Sequence, residues 1–264
     1  MSDTSRVIGA TAAFLRLGWR EAASDRFGLF GRVLLYSLPV MIFGAIWRAT
    51  PLAESGHDAE RLTWYVMITE AVIFAPGFVF REIEEDIRTG AIEAALTRPL
   101  SYGLARVAEE MGGTLFRLAC LGIFGAGLAW VVTGIAPIPV AAVPALALAM
   151  AIGALLALLF QVVIGFLTAW IGTPAPAYWI WQKVMFVIGG LFLPLTLYPD
   201  WIREAGIATP FAAILYHPAS LALEASPSAI LGVLGWQLFW LTVAVLLVSG
   251  VAAAATRRFI REGV

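Results

Sequence analysis

The sequence predicts an all-α integral membrane protein with six transmembrane helices, and three observations carry that reading. Hydrophobic residues make up 61% of the chain and charged residues 13%, against roughly 45–50% and ~25% in soluble domains. The uncharged runs come in lengths close to the ~20 residues that a helix needs to cross a ~30 Å hydrocarbon core. The arginines gather in alternate connections between those runs. A chain of 264 residues holds six such spans with little left for a soluble domain, so residues 1–264 read as one transmembrane unit.

The first 28 residues carry Arg6, Arg16, Arg20 and Arg26 without an uninterrupted apolar core, which argues against a cleaved signal peptide. Val7, Thr11, Phe14, Leu17 and Gly18 recur at helical spacing while Arg16, Arg20 and Asp25 fall largely elsewhere. This predicts an amphipathic helix over 1–28 suited to the inner headgroup layer, either as a lipid anchor or as a contact surface. Span one runs from Leu29 to Trp47, with Arg32 snorkelling to the interface. Span two is Leu62 to Phe80 and contains a single acidic residue, Glu70.

No charge occurs from Leu118 to Gln182, far too long a run for one crossing. Gly134, Pro137, Pro139 and Pro144 divide it into span three, ending near Val132, and span four, about Ala145 to Ile171. Gly172-Thr-Pro-Ala-Pro176 turns the chain into span five, Tyr178 to Leu197, and span six covers about Ala229 to Ala255. Trp47, Trp64, Trp130, Trp170, Trp179, Trp181 and Trp201 fall near these boundaries, as rings that prefer the headgroup level should. Cys120 lies in an apolar run and reads as a small core residue.

With both termini inside the cell, thirteen arginines lie on the inner side and only Arg48, Arg61 and Arg203 on the outer. That bias orients the chain in its membrane and puts the charged connection over 81–111 in the cytosol. Within it, Ile83, Ile87, Ala91 and Ala94 are spaced along one helix face, while Glu82, Glu85 and Asp86 gather on another. One face can pack on the membrane domain and the other can meet a partner. Gly90 weakens the helix, Pro99 forces Arg98 toward extended geometry, and Ser101 is placed to cap the helix that enters span three. These carboxylates lack His or Cys neighbours, which disfavours a metal site; a merely solvated charged face is the plainer alternative to docking.

The region 198–227 and the residues just before it carry Pro194, Pro199, Pro210 and Pro218 with little charge. This predicts a segment folded back into the outer leaflet, where irregular backbone is tolerated only if protein buries it or water reaches it. His217 reads as a polar loop residue. Polar residues inside spans are costly and mark a partner or a cavity. They are Glu70, Gln161, Gln182, Lys183 and Gln237, taken as candidates for lining a transport pathway. Lys183, the only lysine, has snorkelling as its plainer alternative, and Glu70 has packing.

Some chemistry is disfavoured. Lys183 follows Gln182 rather than a glycine, so a GxxxxGK[ST] phosphate loop is missing. No Gly-x-Ser-x-Gly elbow and no His-Glu-x-x-His occur, and no basic groove interleaved with aromatics points to nucleic acid. The chain is therefore expected not to be an enzyme.

The charged connection resembles the coupling region of the ABC-2 family of ABC-transporter permeases, in which an acidic helix, a glycine and a Leu-x-x-Pro turn follow the second transmembrane helix. The matching residues are Glu84, Glu85, Gly90, Glu93, Leu96 and Pro99. The patterns Arg-Glu-Ile-x-x-Asp-Ile-Arg-x-Gly at 81–90 and Arg-Pro-Leu-Ser-Tyr at 98–102 are most similar to small bacterial permeases of viologen or drug exporters. The resemblance implies ATPase coupling through Glu82, Glu84, Glu85, Asp86, Arg88, Gly90, Glu93, Arg98 and Pro99, with no cofactor on this chain and ATP and Mg on a partner ATPase. It implies as further partners a second permease copy or a homologous permease, in a homo- or heterodimer, and an outer segment between the last two spans that caps the exit. An apolar path with few fixed charges favours an amphiphile, a drug or a lipid. The competing classes are an ion-coupled secondary transporter, for which Glu70 is the one good candidate, and a noncatalytic membrane assembly subunit.

Overall fold

In the computed structural model, residues 3–50, 58–92 and 101–262 are described, and among them the chain is helical with no strand. Five stretches are long and apolar enough to cross a membrane: Arg26–Ala49, Ala59–Arg88, Tyr102–Thr133, Val140–Ile171 and Pro227–Arg258.

Helix α1, Asp3–Ser24, ends one residue before Asp25, whose side chain accepts the Gly28 N–H and so starts α2, Arg26–Ala49. Bends separate α3, Ala59–Phe74, from α4, Val79–Arg88. Then comes α5, Tyr102–Thr133, terminated by Gly134 in the left-handed region at φ 74°. The prolines that follow lead through a 3₁₀ turn, Val140–Ala142, into α6, Val143–Phe166, and a one-turn helix α7, Thr168–Ile171. Gly172, at φ 74°, makes the predicted turn into α8, Ala175–Ile188. A 3₁₀ turn at Leu195–Leu197 and three short helices follow: α9, Asp200–Ile207, α10, Pro210–Ile214, and α11, Tyr216–Ser220. The last helix is α12, Pro227–Glu262.

The fifth predicted span, Tyr178 to Leu197, is not one helix. Its helix is 14 residues long, about 21 Å at ~1.5 Å per residue, and it stops where Gly190 takes φ 71°. Predicted span two likewise stops short, at Phe74 rather than Phe80, because Pro76-Gly77 bends the chain. Ser101 occupies the N-cap of α5, but its side chain makes no capping hydrogen bond.

Helices α3 and α6 lie at the centre, with Leu62, Tyr65, Ile68, Leu156 and Leu158 fully buried. Helices α2 and α12 lie outside and turn Phe30, Leu34, Met41, Leu231, Phe239 and Leu246 outward, as surfaces facing lipid or another apolar body do. Helix α1 packs along α5. A Cβ on Gly18 would lie 1.8 Å from the Glu109 carbonyl oxygen, and one on Gly112 would lie 2.0 Å from that of Leu15. Only glycine lets the two backbones meet this closely. Trp19 and Phe116 close the same seam edge to face at 5.3 Å. The predicted interfacial helix thus has a protein-facing side as well as exposed Ile8, Leu17 and Trp19.

The segment from Gly189 to Leu223 is folded inward. Ala212, Ala213, Ile214 and Leu215 are buried, and Gly153 of α6 is seated against the Ile214 carbonyl. Side chains from α3 and α12 bind carbonyls of this irregular stretch. Tyr65 Oη donates to Gly190 O, Thr69 Oγ1 donates to Leu191 O at 2.6 Å, and Gln237 Nε2 donates to Ala213 O at 3.0 Å. This supplies the partners that backbone at such depth requires. His217, expected in a loop, is buried in α11 with Nε2 3.2 Å from Ile207 O and its ring parallel to Trp236.

Candidate functional site

Two of the features singled out above meet at the bend between α3 and α4. On one side of it lies a cavity of about 650 Å³ bounded by α2, α3, α6 and α8. Glu70, Gln161 and Gln182 all line it, together with Tyr178, Trp181, Phe74, Phe186 and Phe192. Glu70 is 2% exposed and Gln161 3%, and the Oε1 atom of each is buried without a hydrogen-bond partner. Gln182 donates to Tyr178 Oη at 3.3 Å, one helical turn away. The spacing 178, 181, 182 and 185 on α8 and 157 and 161 on α6 places these side chains on one face of each helix.

The other two predicted pathway residues lie elsewhere. Gln237 is fully buried, and its amide joins the Ala149 and Ala213 carbonyls at 2.8 and 3.0 Å. It bolts α12 to α6 and α10 and is no part of the cavity lining. Lys183 is exposed on α8, with Nζ 5.3 Å over the Phe186 ring, and does not line the cavity either.

The bend itself is Ala75–Phe78. Its carbonyls lack partners in a continuing helix, so other groups must bind them. Arg32 Nη1 donates to Phe74 O at 2.6 Å and to Pro76 O at 3.2 Å. Arg117 Nε donates to Ala75 O at 2.5 Å. Glu110 accepts the Gly77 N–H at 2.6 Å and pairs with Arg117. Cations at the C-terminus of α3 also oppose its negative dipole end. Arg32, expected to reach toward the interface, has its guanidinium bound to these carbonyls. It is held by the bend and contributes to the cavity wall.

Beyond the bend, α4 carries the charged motif. Phe80 stacks on Tyr178 at 4.1 Å, and Ile83 packs against Gly165 of α6. Val79, Phe80, Ile83 and Ile87 are buried, while Arg81, Glu82, Glu85 and Arg88 are exposed and Glu84 is half-buried. The predicted two-faced pattern is present with two differences. Asp86 turns inward, accepting from Tyr102 Oη and from Arg106 Nε at 3.1 Å, and Glu82 lies 3.7 Å from the same guanidinium. The apolar stripe does not continue to Ala91, because Gly90 at φ 74° ends the helix and Ile92 is the next buried residue. Glu93, Ala94, Arg98 and Pro99 lie outside the described residues.

Sequence reasoning missed Arg32, Glu110 and Arg117 as a group, because two helices far apart in the chain, α2 and α5, contribute to it. The Pro76-Gly77 pair at a span end was the available signal, since such a pair leaves carbonyls that something must bind. Among the described residues no group of three or more His, Cys, Asp or Glu could hold a metal ion.

Residues 58–263 match the model of a family described as ABC-2 family transporter protein. The match begins after α2 and takes in the cavity's α3, α6 and α8, the bend and α4. No curated protein matches the chain.

Proposed function

The chain belongs to the ABC-2 transporter family as a multi-pass membrane component, and from that premise we propose that it is the permease subunit of an ATP-driven exporter. The family implies ABC ATPase partners and members that are typically not catalytic themselves. One observation carries the reading for this chain: a single segment, α3 to α4, has the cavity residue Glu70 before the bend and an exposed charged face after it. A push on α4 is thereby applied to a helix that forms the cavity wall.

In this reading α4 faces the cytosol with both termini and docks on a separate ATPase, where ATP and Mg are bound. The short α8 and the inward-folded segment after it complete a sixth crossing, and a second copy or a homologous permease covers the exposed apolar face of α2 or α12. The cargo is an amphiphile, a drug or a lipid small enough for the cavity. Co-expression with candidate ATPases followed by purification tests this: a stoichiometric ATPase and cargo-stimulated hydrolysis are expected. Glu70, a carboxylate buried in a cavity wall, favours ion-coupled transport as the second reading; transport by the chain alone on an ion gradient would establish it and refute the first.

A further inference from the structure

We infer that the groove between the first turns of α5, the end of α6 and the last turns of α12 holds one acyl chain of a resident anionic phospholipid, whose phosphate lies at Arg257. The lipid is a fixed part of the membrane domain rather than a cargo, and its groove is separate from the cavity beside Glu70.

The lining offers nothing to a polar occupant. The groove encloses about 640 Å³, and among the described residues that line it none is charged. Leu104, Val107, Leu159, Phe166, Val245 and Val248 supply its apolar wall. Three of the hydroxyls on it are already bound: Ser249 Oγ donates to Val245 O at 2.8 Å, Thr256 Oγ1 to Ala252 O at 2.9 Å, and Tyr102 Oη to Asp86. The fourth, on Ser101, belongs to an exposed residue. Burial of methylene groups is therefore the main interaction available.

Length and position select an acyl chain. Helix α12 flanks the groove from Val245 to Thr256, about 16 Å at ~1.5 Å per residue. That is close to half of a ~30 Å hydrocarbon core, the depth of one leaflet. The groove continues into a lipid-facing surface, since Leu104 is 41% and Val245 48% exposed and neighbouring Leu246 turns outward. One end carries charge. Arg257 is exposed one turn beyond Ala253 of the lining, and its Nε reaches back to Ala253 O at 3.1 Å. A guanidinium there complements a phosphate, which it can bind through paired N–H groups. A leaflet-long apolar trough that ends at a cation has the outline of one phospholipid.

The test uses the full chain in nanodiscs of phosphatidylcholine and phosphatidylglycerol, doped with phosphatidylglycerol that carries a diazirine in one acyl chain. Crosslinks are mapped by mass spectrometry. Labelling should concentrate at 245–256 and 102–107 and exceed that at 231–239, a stretch of α12 whose Leu231, Leu238 and Phe239 are equally open to lipid. Ala252→Phe and, independently, Ala253→Leu put a side chain into the groove. Each should cut labelling there about tenfold, since every methylene displaced counts for roughly a factor of four, and leave 231–239 unchanged. Leu246→Phe, on the outward face, should alter neither. Arg257→Gln should lower phosphatidylglycerol labelling about fivefold, the worth of one basic residue at an anionic surface, and affect a matching phosphatidylcholine probe less. Labelling spread evenly along α12, or groove labelling unchanged in both Ala252→Phe and Ala253→Leu, overturns the inference; equal loss of both probes in Arg257→Gln overturns the place given to the phosphate. A Ser249→Cys chain in a Cys120→Ser background that forms a disulfide-linked dimer also overturns it, because a second copy then covers the groove. Expulsion of the probe by ATP in an assembled complex would make it a cargo and overturns its residence. The labelling itself needs no ATPase, so its failure leaves the permease reading untouched.

Discussion

Arg32 and Arg117, carried by different helices, bind consecutive carbonyls of one bend: Arg32 takes Phe74 O and Pro76 O, and Arg117 takes Ala75 O between them. Neither guanidinium is replaceable by the backbone, since the chain has left the helix there.

Removing either one should therefore destabilise the bend. Arg32→Met and Arg117→Met are each expected to cost about 1–3 kcal/mol, the cost of leaving buried acceptors unpaired. The double variant should cost measurably less or more than the sum, because the two share one network. Thermal unfolding of the purified protein in detergent, run as a double-mutant cycle, checks both statements.

The seam between α1 and α5 is tested by size. Gly18→Val places a side chain against the Glu109 carbonyl, a backbone atom that cannot rotate away. Separation of α1 from α5 is expected, at about 1–3 kcal/mol, with faster proteolysis within 3–24. Gly9, with nothing within 4 Å of an added Cβ, should accept alanine without either effect.

Gln237 and Glu70 separate packing from pathway. Gln237→Leu removes the donor to Ala149 O and Ala213 O, so it should lower stability by about 1–3 kcal/mol. Its transport selectivity, measured across several compounds in vesicles of the assembled complex, should match the wild type. A change of selectivity without loss of stability would return Gln237 to the pathway.

On α4, exposure divides the carboxylates. Glu85→Lys lies on the outward face and should change stability by no more than about 0.5 kcal/mol, while like charges against an ATPase surface weaken association by up to several kcal/mol. Asp86→Asn should do the reverse, losing about 1–3 kcal/mol of stability through Tyr102 and Arg106 with a smaller effect on association. Unfolding and co-purification yields, measured side by side, distinguish the two.

Orientation is tested with single cysteines in a Cys120→Ser background. Ala205→Cys in α9 should react with an impermeant maleimide in intact cells, and Glu85→Cys should react only after permeabilisation. Both positions are exposed. Glu85 is chosen over Gly90, where φ 74° would strain a cysteine. Equal labelling of both would contradict a cytosolic α4.

The long helices were legible because their signals are local. Gly134 and Gly172 stop helices where their left-handed φ is read directly from residue type, and uncharged runs of suitable length mark the rest. Helix α8 was misjudged because Val187 through Leu193 is as apolar as a span, yet Gly189-Gly190 and Pro194 interrupt it, and apolarity does not report continuity. Glu70, Gln161 and Gln182 were found as polar residues in apolar context. Gln237 and Lys183 give the same signal, and whether such a residue faces a cavity, a carbonyl or the outside depends on which helices become neighbours. The same reason hid the pairing of Arg32 with a bend 42 residues away.

The inward-folded segment after α8 is fastened by side chains rather than by its own helix. Tyr65, Thr69 and Gln237 each grip a carbonyl of Gly190, Leu191 or Ala213, and these grips come from two long helices, α3 and α12, on either side of it. Sliding the segment stretches all of them together. Its movement should thus behave as a latch, shut or sprung, with little population between, and conditions that loosen one fastening should shorten the time the whole stretch stays closed.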